Sequence, residues 1–110
     1  MTLQIRALSA FIKDVKRLTK RHKRIANDLQ LLEKTLAENP KNGIPLGGHC
    51  YKIRLANTSV PTGKSGGFRI IYYYVDSDGI VYLMSMYDKS ELETLSEAKL
   101  VAILKEHGLD

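Results

Sequence analysis

The sequence predicts an α+β fold: a small antiparallel sheet with an N-terminal helical hairpin packed on one face and a short C-terminal helix. Apolar residues recur at spacings of three and four from Leu8 to Leu36, and beyond Cys50 the period changes to two. The most β-prone stretch, Phe68 to Tyr87, is broken once by a polar turn. The 110 residues, 44% hydrophobic and 26% charged, are one domain's worth of globular chain, so residues 1–110 are expected to form a single domain.

Residues 2–6 alternate polar and apolar, which suits a short first strand. Ser9 is placed to cap a helix, and Phe11, Ile12, Val15 and Leu18 continue the stripe. The stripe thins over residues 19–24, where His22 keeps the apolar register between Lys20, Arg21, Lys23 and Arg24. This predicts two helices, about 9–19 and 22–38, or failing that a single kinked helix, with His22 as a helix-packing residue. Asn39-Pro40 ends the second, because the residue before a proline avoids the helical region. Gly43, Pro45, Gly47 and Gly48 read as loop.

Cys50 to Ala56 then reads as a strand, with Tyr51, Ile53 and Leu55 on one face and Lys52 and Arg54 on the other. Residues 57–67 are expected to be loop. Phe68–Val75 and Ile80–Tyr87 form a hairpin around Asp76-Ser77-Asp78-Gly79. Leu92, Leu95, Leu100, Ile103 and Leu104 mark the last helix, with Ser96 as its cap and Glu97 in its first turn.

Charge is distributed unevenly. Residues 1–75 carry 14 basic and 4 acidic side chains (+10), whereas 76–110 carry 3 and 8 (−5). A basic body suggests a polyanionic partner, either nucleic acid or an acidic protein. No run approaches the roughly 20 apolar residues of a membrane span, and the start lacks a signal-peptide core, so a cytoplasmic protein with no membrane partner is expected. The lone Cys50 allows no internal disulfide, and reads as a small, partly buried residue. Gly63-Lys64-Ser65 lacks the upstream glycine of a phosphate-binding P-loop, since position 58 is Thr58, and it leads into a strand. His22, His49 and His107 lack metal-ligand spacing, so no metal or cofactor is expected; His49, beside a strand, is a candidate to line a site.

What survives is a set of cations. Lys52 and Arg54 point the same way, Arg69 lies inside the most apolar strand, Lys64 precedes it, and Lys89 follows the last strand. An unpaired charge at Arg69 would be costly, so a purely structural reading pairs it with an acid such as Asp88. Five cations gathered on one face suit a polyanion instead, with arginine offering phosphate a planar fork.

The order strand–helix–helix–three strands–helix, together with Lys52-Ile53-Arg54-Leu55 and Gly66-Gly67-Phe68-Arg69-Ile70-Ile71-Tyr72-Tyr73, resembles the RelE/ParE superfamily of bacterial toxins. Tyr87-Asp88-Lys89-Ser90-Glu91 followed by Leu95-Ser96 is similar to its HigB-like branch. The resemblance implies a RelE-like, microbial RNase-like fold. It also implies a type II toxin that enters the ribosomal A site, cleaves messenger RNA there and is neutralised by a cognate antitoxin. Its partners would be the antitoxin, the ribosome and mRNA, in a toxin–antitoxin hetero-oligomer or a homodimer. Lys52 and Arg54 match the family's basic pair, Arg69 the arginine at the scissile phosphate, and Lys64 a basic loop position. Ser90 and Leu95 stand where RelE carries a second basic residue and a stacking tyrosine; the HigB-like branch shares both features.

The chemistry implied is attack of the RNA 2′-OH on the adjacent phosphorus, leaving a 2′,3′-cyclic phosphate and a 5′-OH. It requires alignment, charge neutralisation, a base and an acid. Arg69 would stabilise the phosphorane, Lys52 or Arg54 would neutralise, and Lys52 is the candidate base. Lys64 and Lys89 would bind the backbone, and Tyr87 or Lys89 would return the proton. Two other readings stay open: a ParE-like DNA gyrase inhibitor acting by binding, and a plain RNA-binding module. Alternation divides the tyrosine run between faces, with Tyr72 and Tyr74 opposite Tyr73, which weakens the latter.

Overall fold

A computed structural model describes residues 3–59, 67–89, 91 and 95–109. The elements run β1 (Gln4–Ala7), α1 (Ser9–Thr19), α2 (Ile25–Glu38), β2 (Ile44–Gly47), β3 (Cys50–Leu55), β4 (Phe68–Val75), β5 (Ile80–Asp88) and α3 (Glu97–Glu106). The strands form one sheet in the order β1-β5-β4-β3-β2. Three of the four pairings are antiparallel; β1 lies parallel to β5. No helix among the described residues is long and apolar enough to cross a membrane.

The central strand β4 explains the layering. Because successive side chains alternate, Phe68, Ile70, Tyr72 and Tyr74 meet Phe11 and Leu18 of α1 and Ile25, Leu32 and Leu36 of α2. Ile71 and Tyr73 meet Leu8, Met84, Leu95 and, on α3, Ile103 and Leu104. Both faces of β4 are therefore buried, and each large apolar side chain sealed there contributes about 1.5–3 kcal/mol. A bulge in β5 opposite Ile71 and Tyr72 interrupts the ladder. Beside it, Asp14 of α1 accepts the Met86 N–H at 3.0 Å and the Ser85 hydroxyl at 3.1 Å, fastening helix to sheet.

Four details differ from the sequence expectation. Residues 44–47, read as loop, form edge strand β2, whose Ile44 and Pro45 pair with Lys52 and Tyr51. The first strand joins the otherwise antiparallel sheet in parallel, through a partner some 75 positions away. Ser9 does not cap α1: Leu8 holds that place, its extended backbone fixed by the Leu8 N–H bond to the Leu83 carbonyl and by burial of its side chain. The second helix starts at Ile25, because residues 20–24 turn the chain. Ser96 caps α3 as expected, accepting the Lys99 N–H at 3.2 Å.

The turn between α1 and α2 rests on a buried polar network. The His22 ring stands edge-on to Phe68, with centroids 5.0 Å apart. Asn57 accepts the Ser59 N–H with its side-chain oxygen, leaving its amide nitrogen 2.9 Å from His22 Nδ1. An accepting Nδ1 places the ring proton on Nε2, which lies 3.3 Å from the Asp88 carboxylate. Alongside, buried Asp28 accepts the Thr58 hydroxyl at 2.6 Å and the Thr58 N–H at 3.2 Å. The Arg24 N–H reaches the Ser59 hydroxyl at 2.9 Å. This network holds the start of the β3–β4 connection against the helical hairpin. A second tie joins α1 to the chain beyond β5: Arg17 pairs with Glu91. Burial pushes the Glu91 carboxyl up, but the Arg17 guanidinium and the Asp88 amide outweigh it and hold the carboxyl below its ordinary value.

Asp28→Ala leaves two Thr58 donors without their acceptor, at a cost of about 1–3 kcal/mol. A thermal melt should show Tm lowered by roughly 5–15 °C. Hydrogen exchange at residues 57–59 should accelerate more than in the α3 region. An unchanged melt would show that the network does not hold the loop.

Candidate nucleic-acid interface

The site is built on the face of β3 and β4 that carries alternate residues from Cys50. Cross-strand pairing sets Cys50 beside Tyr73, Lys52 beside Ile71 and Arg54 directly opposite Arg69. Tyr87 of β5 comes next to Arg69 on its other side. Lys52, Arg54 and Arg69 line one open cleft of about 550 Å³, whose remaining walls are Asn42, Gly43, Ile44 and Ile53. No acidic side chain is among these wall residues. Lys52 also borders a second hollow of about 430 Å³ between β2–β3 and α3, lined by Leu46, Leu95, Glu97, Leu100 and Leu104.

Two glycines permit the close approaches that shape the cleft. A Cβ at Gly43 would lie 2.9 Å from the Lys52 carbonyl oxygen, so only glycine lets this wall press onto β3. The Gly43 N–H donates to the Tyr72 hydroxyl at 3.0 Å, and Tyr72 stacks on Tyr51 with ring centroids 5.2 Å apart. Burial pushes the Tyr72 hydroxyl's pKa up, which keeps it protonated. At Gly67 a Cβ would lie 2.4 Å from the Leu55 carbonyl oxygen. The Gly67 carbonyl in turn accepts from the Arg69 guanidinium and the Lys89 N–H, both at 3.4 Å.

The expected site residues are not equivalent. Arg54 is exposed, whereas Arg69 is only 5% exposed and also donates to the Phe68 carbonyl at 3.3 Å. Arg69 thus lies at the base of the cleft with Arg54 at its rim. Asp88 stands opposite Phe68 on β4, and its carboxylate meets His22. Lys89 is exposed in the turn after β5 and does not line the cleft. Tyr87 is 2% exposed and packs in the cluster with Leu95, Ile103 and Leu104. Among the described residues its hydroxyl has no hydrogen-bond partner, so the ring serves the core. Lys64 lies outside the described residues.

His49 sits at the β2–β3 corner with φ 66°, edge-on to Tyr73, and lines neither hollow. Cys50 is buried beside Met84, and burial pushes its thiol pKa up. Sequence reasoning missed the wall formed by Asn42, Gly43 and Ile44. The only available signal was glycine and proline punctuation, which gave no pairing partner.

The unpartnered Tyr87 hydroxyl gives a direct stability test. A buried hydroxyl without a partner carries a desolvation cost, so Tyr87→Phe should melt at or above the wild-type temperature. A Tm several degrees lower would show that the hydroxyl has a partner in solution.

The fold has solved counterparts. A double mutant of E. coli toxin RelE in the free state superposes with a TM-score of 0.57 at 21% identity, over 84% of this chain and 90% of that one. A chain of the intact E. coli RelBE toxin–antitoxin complex gives 0.56 at 21% identity, over 76% and 93%. Isolated E. coli RelE gives 0.52 at 20%, over 94% and 97%. No family model matches the sequence. At this identity the likeness concerns architecture: the chain has a RelE-like fold.

Proposed function

We propose that this chain is the toxin of a type II toxin–antitoxin pair, a HigB-like, metal-independent endoribonuclease that cleaves messenger RNA in the ribosomal A site. The observation that carries the reading is the cleft itself, where Lys52, Arg54 and Arg69 converge with no acidic side chain among the described wall residues. Such a cavity is suited to a phosphodiester and to the extra negative charge that develops when the phosphorus becomes five-coordinate. The RelE-like fold supports the same reading, since solved proteins of this architecture are toxins, one in a complex with antitoxin RelB and one with an antitoxin peptide.

In the proposed reaction the 2′-OH attacks its own phosphodiester, forming one P–O bond as the 5′-oxygen bond breaks. Arg69, held at the base of the cleft, stabilises the phosphorane, and Arg54 at the rim neutralises the incoming strand. Lys52 takes the 2′-OH proton. Lys89, exposed at the strand end, is assigned the return of a proton to the 5′-oxygen in preference to Tyr87, whose hydroxyl is buried. Lys64 and Lys89 steady the backbone. Among the described residues the cleft offers no carboxylate–histidine pair for strong acid–base catalysis, so the ribosome is assigned the alignment of the strand. A cognate antitoxin with an acidic segment would mask these cations in the cytoplasm, by complementing their charge.

Arg69→Ala should slow single-turnover cleavage on programmed ribosomes on the order of a hundred- to a thousandfold, by analogy with loss of an oxyanion donor worth about 2.7–4 kcal/mol. Arg69→Lys should recover little, because an ammonium lacks the planar fork. A melting curve of each variant separates chemistry from folding, and exposed Arg54→Ala, expected to weaken cleavage without lowering Tm, gives a second route. Folded Arg69→Ala and Arg54→Ala proteins that both cleave at the wild-type rate would overturn the assignment.

A further inference from the structure

We propose that the hollow between β2–β3 and α3 is a nucleobase subsite, taking a guanine whose 3′-phosphate lies in the arginine cleft, with Glu97 as the residue that selects it. The inference rests on the ribonuclease reading above and adds a base to the phosphate. The hollow encloses about 430 Å³, within the roughly 300–1,000 Å³ of small-ligand pockets.

Register sets the two cavities side by side on one sheet face. Arg69 and Ile71 are two positions apart on β4, so their side chains leave the same face about 6.5–7 Å from each other. Arg54 stands opposite Arg69, and Lys52 opposite Ile71. Both arginines line the cleft, Ile71 lines the hollow, and Lys52 lines both. A ribonucleotide runs in the same order, from base through ribose to 3′-phosphate. With the phosphate on the arginines, the 2′-OH comes to Lys52, to which its proton is assigned, and the base comes over Ile71.

The lining suits a flat heterocycle. Leu46, Ile71, Leu100 and Leu104 offer aliphatic side chains to the faces of a ring. Gly47 and Gly48, at the β2–β3 corner, add no side chain to close the hollow. Leu46 and Val101 on its wall are exposed, so it opens to solvent. Unstacked bases are read in this way, by apolar contact with the faces and hydrogen bonds to the Watson–Crick edge.

Glu97 supplies the hydrogen-bonding group. It opens α3, is exposed and lines the hollow. Among the described residues, no hydrogen bond or ion pair engages its carboxylate. An acid in a first helical turn complements the helix dipole from any side of the helix, which leaves its place on the hollow unexplained. An ionised carboxylate has two acceptor oxygens and no donor. Guanine matches it with two adjacent donors, N1–H and the N2 amino group. Adenine and cytosine set a ring-nitrogen acceptor beside their amino group, and uracil sets its N3–H between two carbonyls. Each of those acceptors repels a carboxylate oxygen.

The test titrates the protein with the 3′-monophosphates of guanosine, adenosine, cytidine and uridine, and follows the methyl NMR signals of Ile71 and Leu100. It needs no cleavage. Guanosine 3′-monophosphate should bind on the order of ten- to a hundredfold more tightly than the uridine nucleotide, and should shift both signals. Glu97→Gln should bring the four affinities close together while melting near the wild type. Val101→Trp, which adds a ring at an exposed wall position, should weaken all four nucleotides and leave inorganic phosphate binding unchanged. Four nucleotides bound alike by the wild type, or a guanosine preference that survives Glu97→Gln, would overturn the proposal. So would binding that moves neither methyl signal. Guanosine preference in a protein that leaves mRNA intact on programmed ribosomes would keep the subsite and remove the ribonuclease reading. Cleavage there by a protein with no guanosine preference would do the reverse.

Discussion

Two arginines on neighbouring strands face each other across the sheet, Arg54 at the rim of the cleft and Arg69 at its base. Like charges placed directly opposite are destabilising in a sheet, and a guanidinium that is 5% exposed adds a desolvation cost. Both effects make the arrangement depend on its surroundings. It has to be held in place by the rest of the structure, and much of the surrounding architecture does so. Gly67 allows β4 to start close against Leu55, and its carbonyl accepts from Arg69. Gly43 lets the wall of residues 42–44 lean onto Lys52. The result is a recess that presents Lys52, Arg54 and Arg69 together.

The scaffold that offsets this cost is β4. Apart from Arg69, its Phe68–Tyr74 side chains are apolar or aromatic and buried, with the helical hairpin on one face and the α3 cluster on the other. A charge seated in such a strand has little freedom to turn away, which converts packing energy into orientation of a functional group. The polar network at the hairpin turn extends the same logic to the loop. Asn57 bonds to His22 Nδ1 and Thr58 to Asp28, so residues 57–59 leave the sheet in a fixed direction. Helix turn, loop base and cleft arginine thus form one mechanical unit.

Much of this was legible in the sequence where the controlling interactions are local. The 68–87 hairpin, α1 and the Ser96 cap follow from alternation, helical spacing and a hydroxyl before Glu97. Lys52, Arg54 and Arg69 could be gathered because a period of two fixes their faces. Features that depend on distant partners were not legible. β2 is four exposed residues containing proline and two chain-reversal signals nearby, and only β3 makes it a strand. Ser9 has the chemistry of a cap, yet burial of Leu8 one residue earlier sets where α1 begins. Tyr87 reads as a proton donor until α3 and Leu95 close over it. His22 was recognisable as a packing residue, but its links to Asn57 and Asp88 span 35 and 66 positions of chain.

The central claim is that the cationic cleft cuts RNA under ribosomal guidance. It is tested most directly by mapping transcript 5′ ends in bacteria shortly after brief production of the protein without its antitoxin. The account predicts new 5′-OH ends within coding regions, phased to codons and absent from untranslated RNA, with far fewer in cells producing Arg69→Ala. Growth arrest with intact transcripts and gyrase-dependent DNA breaks would contradict it, and would leave the same fold serving as a binding inhibitor.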